Sequence, residues 1–175
     1  MIRLKVALAM AAGIAAISSA PAFAAKAKSE EKADAAPIAI PAPPPGKGQI
    51  VFFRPGGMGF ALGCSVNENG EKISSLGAGR YFILVTEPGT HQYSVKSEAK
   101  DTLGLLVESD ETQFAKCKIK MGIVAGRPDI QPATEEEFRK QKSLKLVDED
   151  DMGPAPGALR PAEIAAALAQ APAAE

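Results

Sequence analysis

The stretch GRYFILVTEPGTHQY, residues 79–93, decides the predicted fold. Two runs rich in aromatic and β-branched residues, 80–86 and 90–95, flank a Glu-Pro-Gly sequence at 87–89. Residues of these types favour β-strands. A proline followed by a glycine favours a type II turn, because proline fixes one φ angle and glycine accepts a positive one. The stretch therefore predicts a central β-hairpin on which the other strands assemble.

Further strands are predicted on both sides of this hairpin. Residues 49–54 are almost continuously apolar, which is typical of a strand that is buried on both faces. Asn69-Gly70 is a strong signal for a tight hairpin between two short strands. Residues 112–121 alternate in character, and one face is expected to line the core while lysines cover the other. The core-facing set is Ala115, Cys117, Ile119 and Met121.

One short helix is predicted near the C-terminal end of the domain. Thr134 and Glu137 have the spacing of a capping box, so the helix is expected over residues 135–142. Seven to eight short strands with one such helix indicate an all-β protein, and we expect an antiparallel β-sandwich over residues 46–147.

The segments on either side of this domain lack a sustained apolar pattern. Residues 25–45 are rich in alanine and proline and predict a disordered linker. Residues 148–175 are first acidic and then rich in alanine and proline, and predict a disordered tail.

The first 24 residues have the pattern of a secretory signal peptide. Arg3 and Lys5 precede an apolar run that is too short for a comfortable membrane span. A small-x-small sequence ends at Ala24, so cleavage is expected between Ala24 and Ala25. A retained anchor is the alternative, which the lack of a later long apolar segment disfavours. We therefore expect an exported protein, periplasmic or secreted, with no membrane span after cleavage.

Cys64 and Cys117 are the only two cysteines of the chain. Each lies at a predicted core-facing position of an alternating strand. In an oxidising compartment the only possible intramolecular bond is a Cys64–Cys117 disulfide. Two buried thiols are the alternative that the same apolar neighbours allow.

The charge balance argues against nucleic acid as a partner. The chain has 20 Lys and Arg residues against 21 Asp and Glu residues. No stretch concentrates basic residues in the way that phosphate-backbone binding requires.

No catalytic pattern is found in the sequence. His91 is the only histidine, and a metal site or an acid–base pair would need partners that no second histidine provides. A structural role is favoured, with the ring bonded to a nearby carbonyl group. Neither cysteine lies in a C-x-x-C motif, and no serine lies in G-x-S-x-G. We therefore expect no enzyme activity, no cofactor and no metal.

Four residues are candidate binding contacts. Met58 lies at the tip of a glycine-rich loop and is expected to be accessible to a partner. Tyr81, His91 and Tyr93 lie in the central hairpin, where aromatic rings suit sugar binding. Tyr81 and Phe82 point to opposite faces of a strand, so at most one of them joins Tyr93.

Several short motifs, taken in order, resemble a family of bacterial envelope domains of unknown function. They are Gly-Lys-Gly at 46–48 before a strand ending in Phe-Arg, Gly-x-Tyr-Phe at 79–82, Glu-Pro-Gly-x-His at 87–91 and Gly-Arg-Pro at 126–128. The Pro-Gly-x-His hairpin also resembles the surface-layer modules named after a Pro-Glu-Gly-Ala motif. The resemblance covers residues 46–147 and implies a β-sandwich in the cell envelope, without catalytic residues. Many members look like lipoproteins, whereas this chain has no cysteine near the cleavage site.

The sequence therefore predicts a non-catalytic exported β-sandwich module with a protein-binding or structural role in the cell envelope. Its partner is expected to be an envelope protein. The alternative is a small-ligand or glycan-binding module that uses the aromatic residues of the central hairpin.

Overall fold

The computed structural model describes residues 37–57, 62–96, 100–122 and 126–170. The predicted signal peptide, its cleavage site between Ala24 and Ala25, and the candidate contact Met58 lie outside the described residues. Among the described helices, none is long and apolar enough to cross a membrane.

Strands make up about half of the structure, and two sheets contain the nine that are described. The strands are β1 Gly48–Arg54, β2 Cys64–Glu68, β3 Glu71–Leu76, β4 Arg80–Thr86, β5 Gly89–Lys96, β6 Lys100–Val107, β7 Thr112–Lys120, β8 Arg127–Ala133 and β9 Lys145–Leu146. The helices are α1 Glu135–Arg139, α2 Pro161–Gln170 and a 3₁₀ turn at Glu149–Asp151.

The two sheets differ in strand direction. Sheet A has the order β8-β7-β1-β4-β9, and sheet B has the order β3-β2-β5-β6. In sheet A, β1 is antiparallel to β4 but parallel to β7, and β4 is parallel to β9. The prediction of a purely antiparallel arrangement is wrong here. Parallel neighbours need a long crossover connection, and β2 to β6 all lie between β1 and β7 in the chain.

The predicted central hairpin is also wrong. β4 belongs to sheet A and β5 to sheet B, so the turn at 87–89 carries the chain from one sheet to the other. The two strands face each other across one core cluster, to which Phe82 and Leu84 contribute from β4 and Tyr93 and Val95 from β5. The turn sequence predicts that the chain reverses direction. Which strands then pair depends on how their side chains pack in the core.

The hairpin predicted at Asn69-Gly70 is confirmed. It joins the antiparallel strands β2 and β3. Asn69 and Gly70 have φ angles of 50° and 87°, which fit the two positive φ angles that a type I′ turn requires.

Strand β1 is buried along its whole length, as its continuous apolar sequence predicts. Ile50 and Phe52 join the core cluster between the two sheets. Val51 and Phe53 join a second cluster on the outer side of sheet A. The ring of Phe138 from α1 packs edge-on against Phe53, with centroids 5.4 Å apart. Sheet A is therefore covered on both faces.

Helix α1 begins at the predicted capping box. The Glu137 amide donates to the Thr134 hydroxyl, and the Thr134 amide donates to the Glu137 carboxylate, both at 3.2 Å. The helix ends at Arg139 and is shorter than the predicted span to residue 142.

The disulfide between Cys64 and Cys117 is confirmed, with Cα atoms 6.6 Å apart. Cys64 belongs to β2 of sheet B and Cys117 to β7 of sheet A. The bond therefore joins the two sheets through the core. Met121, by contrast, is 89% exposed, because β7 ends at Lys120 and the chain leaves the core there.

The C-terminal region is not the disordered tail that was predicted over 148–175, as far as it is described. Residues 152–159, which we call the C-terminal strap, cross from the β3 edge of sheet B to the β4 edge of sheet A. Four backbone hydrogen bonds of 2.7–3.1 Å hold the strap: Gly153 N–H to Ile73 O, Ala155 N–H to Lys72 O, Val85 N–H to Gly157 O, and Leu159 N–H to Ile83 O.

Helix α2 follows the strap and buries Ile164 in the outer cluster of sheet A. Residues 37–45, which fall in the predicted disordered linker, also cover this side. Ile38 and Ile40 pack against the outer cluster, and the Gln49 side chain donates to the Pro41 carbonyl at 2.6 Å. Neither flank has a core of its own. Both are ordered because the outer face of sheet A offers apolar surface to bury.

Replacing both cysteines by alanine should lower the free energy of unfolding by about 2 to 4 kcal/mol, the upper figure being the loop-closure entropy for this loop. The loop spans a sequence separation of 53 residues. Urea unfolding of the oxidised parent and the Cys64→Ala/Cys117→Ala variant measures the difference. The reduced parent is the control and should resemble the variant. Equal midpoints for the oxidised parent and the variant would contradict the expectation.

Gly153→Ala and Gly157→Ala should detach the C-terminal strap. A Cβ atom at Gly153 would lie 1.9 Å from the Lys72 carbonyl oxygen, and one at Gly157 would lie 2.4 Å from that of Val85. Gly157 also has a φ angle of 93°, so its replacement should cost about 1 kcal/mol or more.

Limited proteolysis between residues 148 and 160, together with urea unfolding, measures the strap's attachment. Gly56→Ala is the matched control, since its Cβ atom would meet nothing within 4 Å. If the Gly157 variant resists protease as well as the Gly56 variant does, the strap does not depend on this close approach.

Candidate functional site

A cleft of about 350 Å³ opens at one end of the space between the two sheets. We call it the strap-end cleft, because Pro156 and Gly157 of the C-terminal strap form part of its rim. Its lining residues are Lys47, Glu68, Leu84, Val85, Thr86, Glu87, Pro156 and Gly157.

Strand alternation places polar side chains at this end of the core. Glu68 follows Cys64 and Val66 on the inward side of β2, and His91 precedes Tyr93 on the inward side of β5. Thr86 ends β4 opposite them. Because each is the last inward position before its strand leaves the core, these side chains meet at the cleft rather than in apolar surroundings.

The His91 ring is held at both nitrogens. Nδ1 lies 2.7 Å from a Glu68 carboxylate oxygen, and Nε2 lies 2.8 Å from the Glu87 backbone carbonyl oxygen. The carbonyl contact is the one expected from the sequence. Both ring nitrogens are therefore engaged by acceptor groups of the protein.

A second ion pair crosses the mouth of the cleft. The Lys47 ammonium contacts the Glu87 carboxylate, and these side chains are 40% and 70% exposed. Exposed pairs of this kind contribute little to stability, because water screens them. Lys47 and His91 therefore each contact a carboxylate at this end of the core.

Tyr93 lies directly beneath this end of the core. Its ring packs edge-on against Phe52 at 5.0 Å and stacks on His91 at 6.1 Å. The buried hydroxyl group lies near Thr86 but forms no hydrogen bond of normal geometry. Burial first, and the charge of Glu68 second, raise the pKa of Tyr93 far above its usual value.

The structure does not bring the predicted aromatic contacts together. Tyr81 is buried in the outer cluster of sheet A, with its ring 5.7 Å from that of Phe138. Tyr93 is buried in the cluster between the sheets. Since both rings are in the core, no exposed platform of these tyrosines is available for stacking on a sugar. His91 contacts Glu68 and Glu87, which line the cleft, and Met58 lies outside the described residues.

Sequence reasoning missed the outer face of sheet B. Strand alternation directs nine uncharged residues away from the core, and we call their surface the neutral face. The nine are Ser65, Asn67, Ser75, Thr90, Gln92, Ser94, Thr102, Gly104 and Leu106. Two lysines lie on the same side of sheet B at its margins: Lys72 on the edge strand β3, opposite Asn67, and Lys100 at the start of the edge strand β6. The signal was present as alternation in β5 and β6. It could not be interpreted while β5 was assigned to a hairpin with β4.

Comparison with protein-family models, curated proteins and solved structures finds no match to this chain. The resemblance to bacterial envelope domains therefore remains a prediction from the short motifs.

The two tyrosines should resist ionisation while the protein is folded. Burial raises the pKa of Tyr81, and burial with Glu68 raises that of Tyr93. Each tyrosine therefore has a higher pKa in the folded protein than in the unfolded chain, where it is about 10. The free energy of unfolding keeps its full value below that pH and falls as the pH rises further. Tyrosinate absorbance and circular dichroism, recorded together against pH, should show ionisation only as the fold is lost.

Tyr93→Phe is the control for this titration. It removes a buried hydroxyl group that lacks a normal hydrogen bond, so the variant should fold with unchanged or higher stability at neutral pH. Its alkaline unfolding should move to higher pH. Two tyrosines that titrate near pH 10 with the fold intact would contradict the burial described above.

Proposed function

We propose that this protein is a non-catalytic, exported β-sandwich module that binds another protein of the cell envelope. The observation that carries the proposal is the neutral face of sheet B. Its nine side chains are uncharged, exposed or half-buried, and spread over the four strands of the sheet.

Sheet A is covered on both faces by other parts of the fold, whereas sheet B is covered on one face only. Sheet A packs against sheet B on one side and against α1, α2 and residues 37–45 on the other. Sheet B packs against sheet A through its inner side, and no described element covers its outer side. The described fold therefore leaves the outer surface of sheet B available to a partner.

The side chains of the neutral face are suited to a protein interface. The centres of protein interfaces are depleted of charged residues, and on this side of sheet B the lysines, Lys72 and Lys100, lie at the margins of the uncharged set. The Ser65 and Ser75 hydroxyls lie 2.7 Å apart, and the Asn67 amide donates to the carbonyls of Ser65 and Ser94. Side chains ordered in advance lose little entropy on binding. Leu106, 61% exposed, offers an apolar contact.

Two features support export and a non-catalytic role. A disulfide that closes the core persists in an oxidising compartment and is rare in the cytosol, which agrees with the predicted signal peptide. His91 is the only histidine, and both of its nitrogens are engaged by Glu68 and Glu87. It therefore has no free nitrogen with which to act as a general base.

The proposal is tested by placing a charge at the centre of the neutral face. Gln92 is exposed and pairs with Gly104, so Gln92→Glu adds charge without filling core space. Crosslinking in the native host, followed by mass spectrometry, should identify one partner that the parent captures and the variant loses. An unfavourable desolvated charge should weaken binding by about tenfold or more.

Gln170→Glu is the matched control, because it makes the same change at an exposed position of α2. It should retain the partner, and both variants should unfold at the same urea concentration as the parent. If Gln92→Glu captures the same partner as efficiently as Gln170→Glu does, the neutral face is not the binding surface.

A further inference from the structure

A small cavity of about 110 Å³ lies where the edge strand β6 of sheet B meets the edge strand β8 of sheet A. The Ile130 amide of β8 donates to the Asp101 carboxylate of β6 at 2.8 Å, which ties the two edges together. We call the site the basic corner. It is lined by Lys100, Asp101, Lys120, Arg127, Pro128 and Asp129.

Both carboxylates of the basic corner are already occupied. Asp101 accepts the hydrogen bond from Ile130. Asp129 contacts the Lys120 ammonium at 2.5 Å and also accepts from the Gln131 side chain. Burial opposes ionisation of Asp129, but these hydrogen bonds and nearby lysine charges outweigh it and hold the pKa of Asp129 below its usual value. Asp129 is therefore already paired with a cation, and Asp101 is held by a backbone amide.

The cations of the basic corner are not balanced. Lys120 and Arg127 lie directly opposite each other in the β7–β8 register. Like charges in this position repel and destabilise a sheet. The side chains of Lys100 and Arg127 are exposed and make no hydrogen bond or ion pair with any described residue. Lys118 adds another charge opposite Asp129. Four cations against two carboxylates leave a net charge of +2 (4 − 2) among these residues.

We propose that the basic corner binds a phosphate group, with Arg127, Lys120 and Lys100 as the donors. Guanidinium groups bind phosphate oxygens in bidentate fashion, and an anion between Lys120 and Arg127 converts their repulsion into attraction. The cavity is far smaller than the roughly 300 Å³ of pockets that enclose whole small molecules. It therefore fits a phosphate group rather than a complete nucleotide or sugar chain.

The phosphate group has two possible sources with the same chemistry. It could belong to a small soluble phosphate compound or to the headgroup of an anionic phospholipid. Met121 follows Lys120 and is almost fully exposed, so an apolar side chain stands next to the cations. Cations beside an exposed apolar side chain are the combination that binds anionic membrane surfaces. The experiment therefore has one arm for each source.

The first arm measures the affinity of the exported protein for inorganic phosphate by calorimetry at constant ionic strength. The second arm measures sedimentation with vesicles of phosphatidylglycerol or of phosphatidylcholine. Arg127→Gln and Lys100→Gln remove the proposed donors. Lys145→Gln is the matched control, because it removes one exposed lysine charge on β9. The Arg127 variant should bind about tenfold more weakly than the control, as expected for the loss of a charge-assisted hydrogen-bond pair.

The outcomes separate the sources. Phosphate binding that Arg127→Gln weakens, without a preference for phosphatidylglycerol, assigns the site to soluble phosphate compounds. Sedimentation with phosphatidylglycerol alone, competed by phosphate and weakened in Arg127→Gln, assigns it to a lipid headgroup. The proposal is overturned if neither probe binds, or if Arg127→Gln and Lys145→Gln bind equally well.

Stability without ligand gives a second readout. Because Arg127 faces Lys120 across the strands, Arg127→Gln should be at least as stable as the parent in phosphate-free buffer. Phosphate should raise the unfolding temperature of the parent and not that of the variant. A variant that is less stable without phosphate would show that Arg127 has a structural role, and would also overturn the proposal.

Discussion

The burial of β1 on both faces is the constraint on which the rest of the structure depends. Ile50 and Phe52 point into one cluster, and Val51 and Phe53 point into another. A strand with two apolar faces must be covered on both sides, or it exposes large hydrophobic side chains to water. Sheet B covers one side. Helices and flanking segments, which have no core of their own, cover the other.

This division of surfaces links the fold to its proposed role. Both faces of sheet A pack against other elements, so its side chains contribute to the stability of the fold. The disulfide ties it to sheet B through the core, and the C-terminal strap ties the two sheets at their edges. Sheet B contributes one face to the core and keeps the other free. The free face is therefore held rigid from behind, which favours binding through residues that are already in place.

The two polar sites of the molecule differ in how their charges are compensated. At the strap-end cleft, His91 and Lys47 each face a carboxylate of their own. At the basic corner, two cations oppose each other across paired strands while both carboxylates are engaged. Repulsion between these two cations does not stabilise the folded state. The excess charge is therefore the stronger indication of a ligand, although the cleft is the larger cavity.

By itself, the sequence determined the features that depend on local geometry or on strand parity. These are the Asn69-Gly70 turn, the capping box at Thr134, the double burial of β1, and the inward positions of the two cysteines. The carbonyl contact of His91 also followed from its position after a turn. Only the tertiary structure decided which strands pair, since pairing depends on contacts between distant segments. The parallel β1–β7 pair, the sheet crossing between β4 and β5, the ordered flanks and the basic corner all arise in this way. The cations of that corner come from three consecutive strands that belong to different sheets, and only packing of the two sheet edges brings Lys100 of β6 beside Lys120 and Arg127 of β7 and β8.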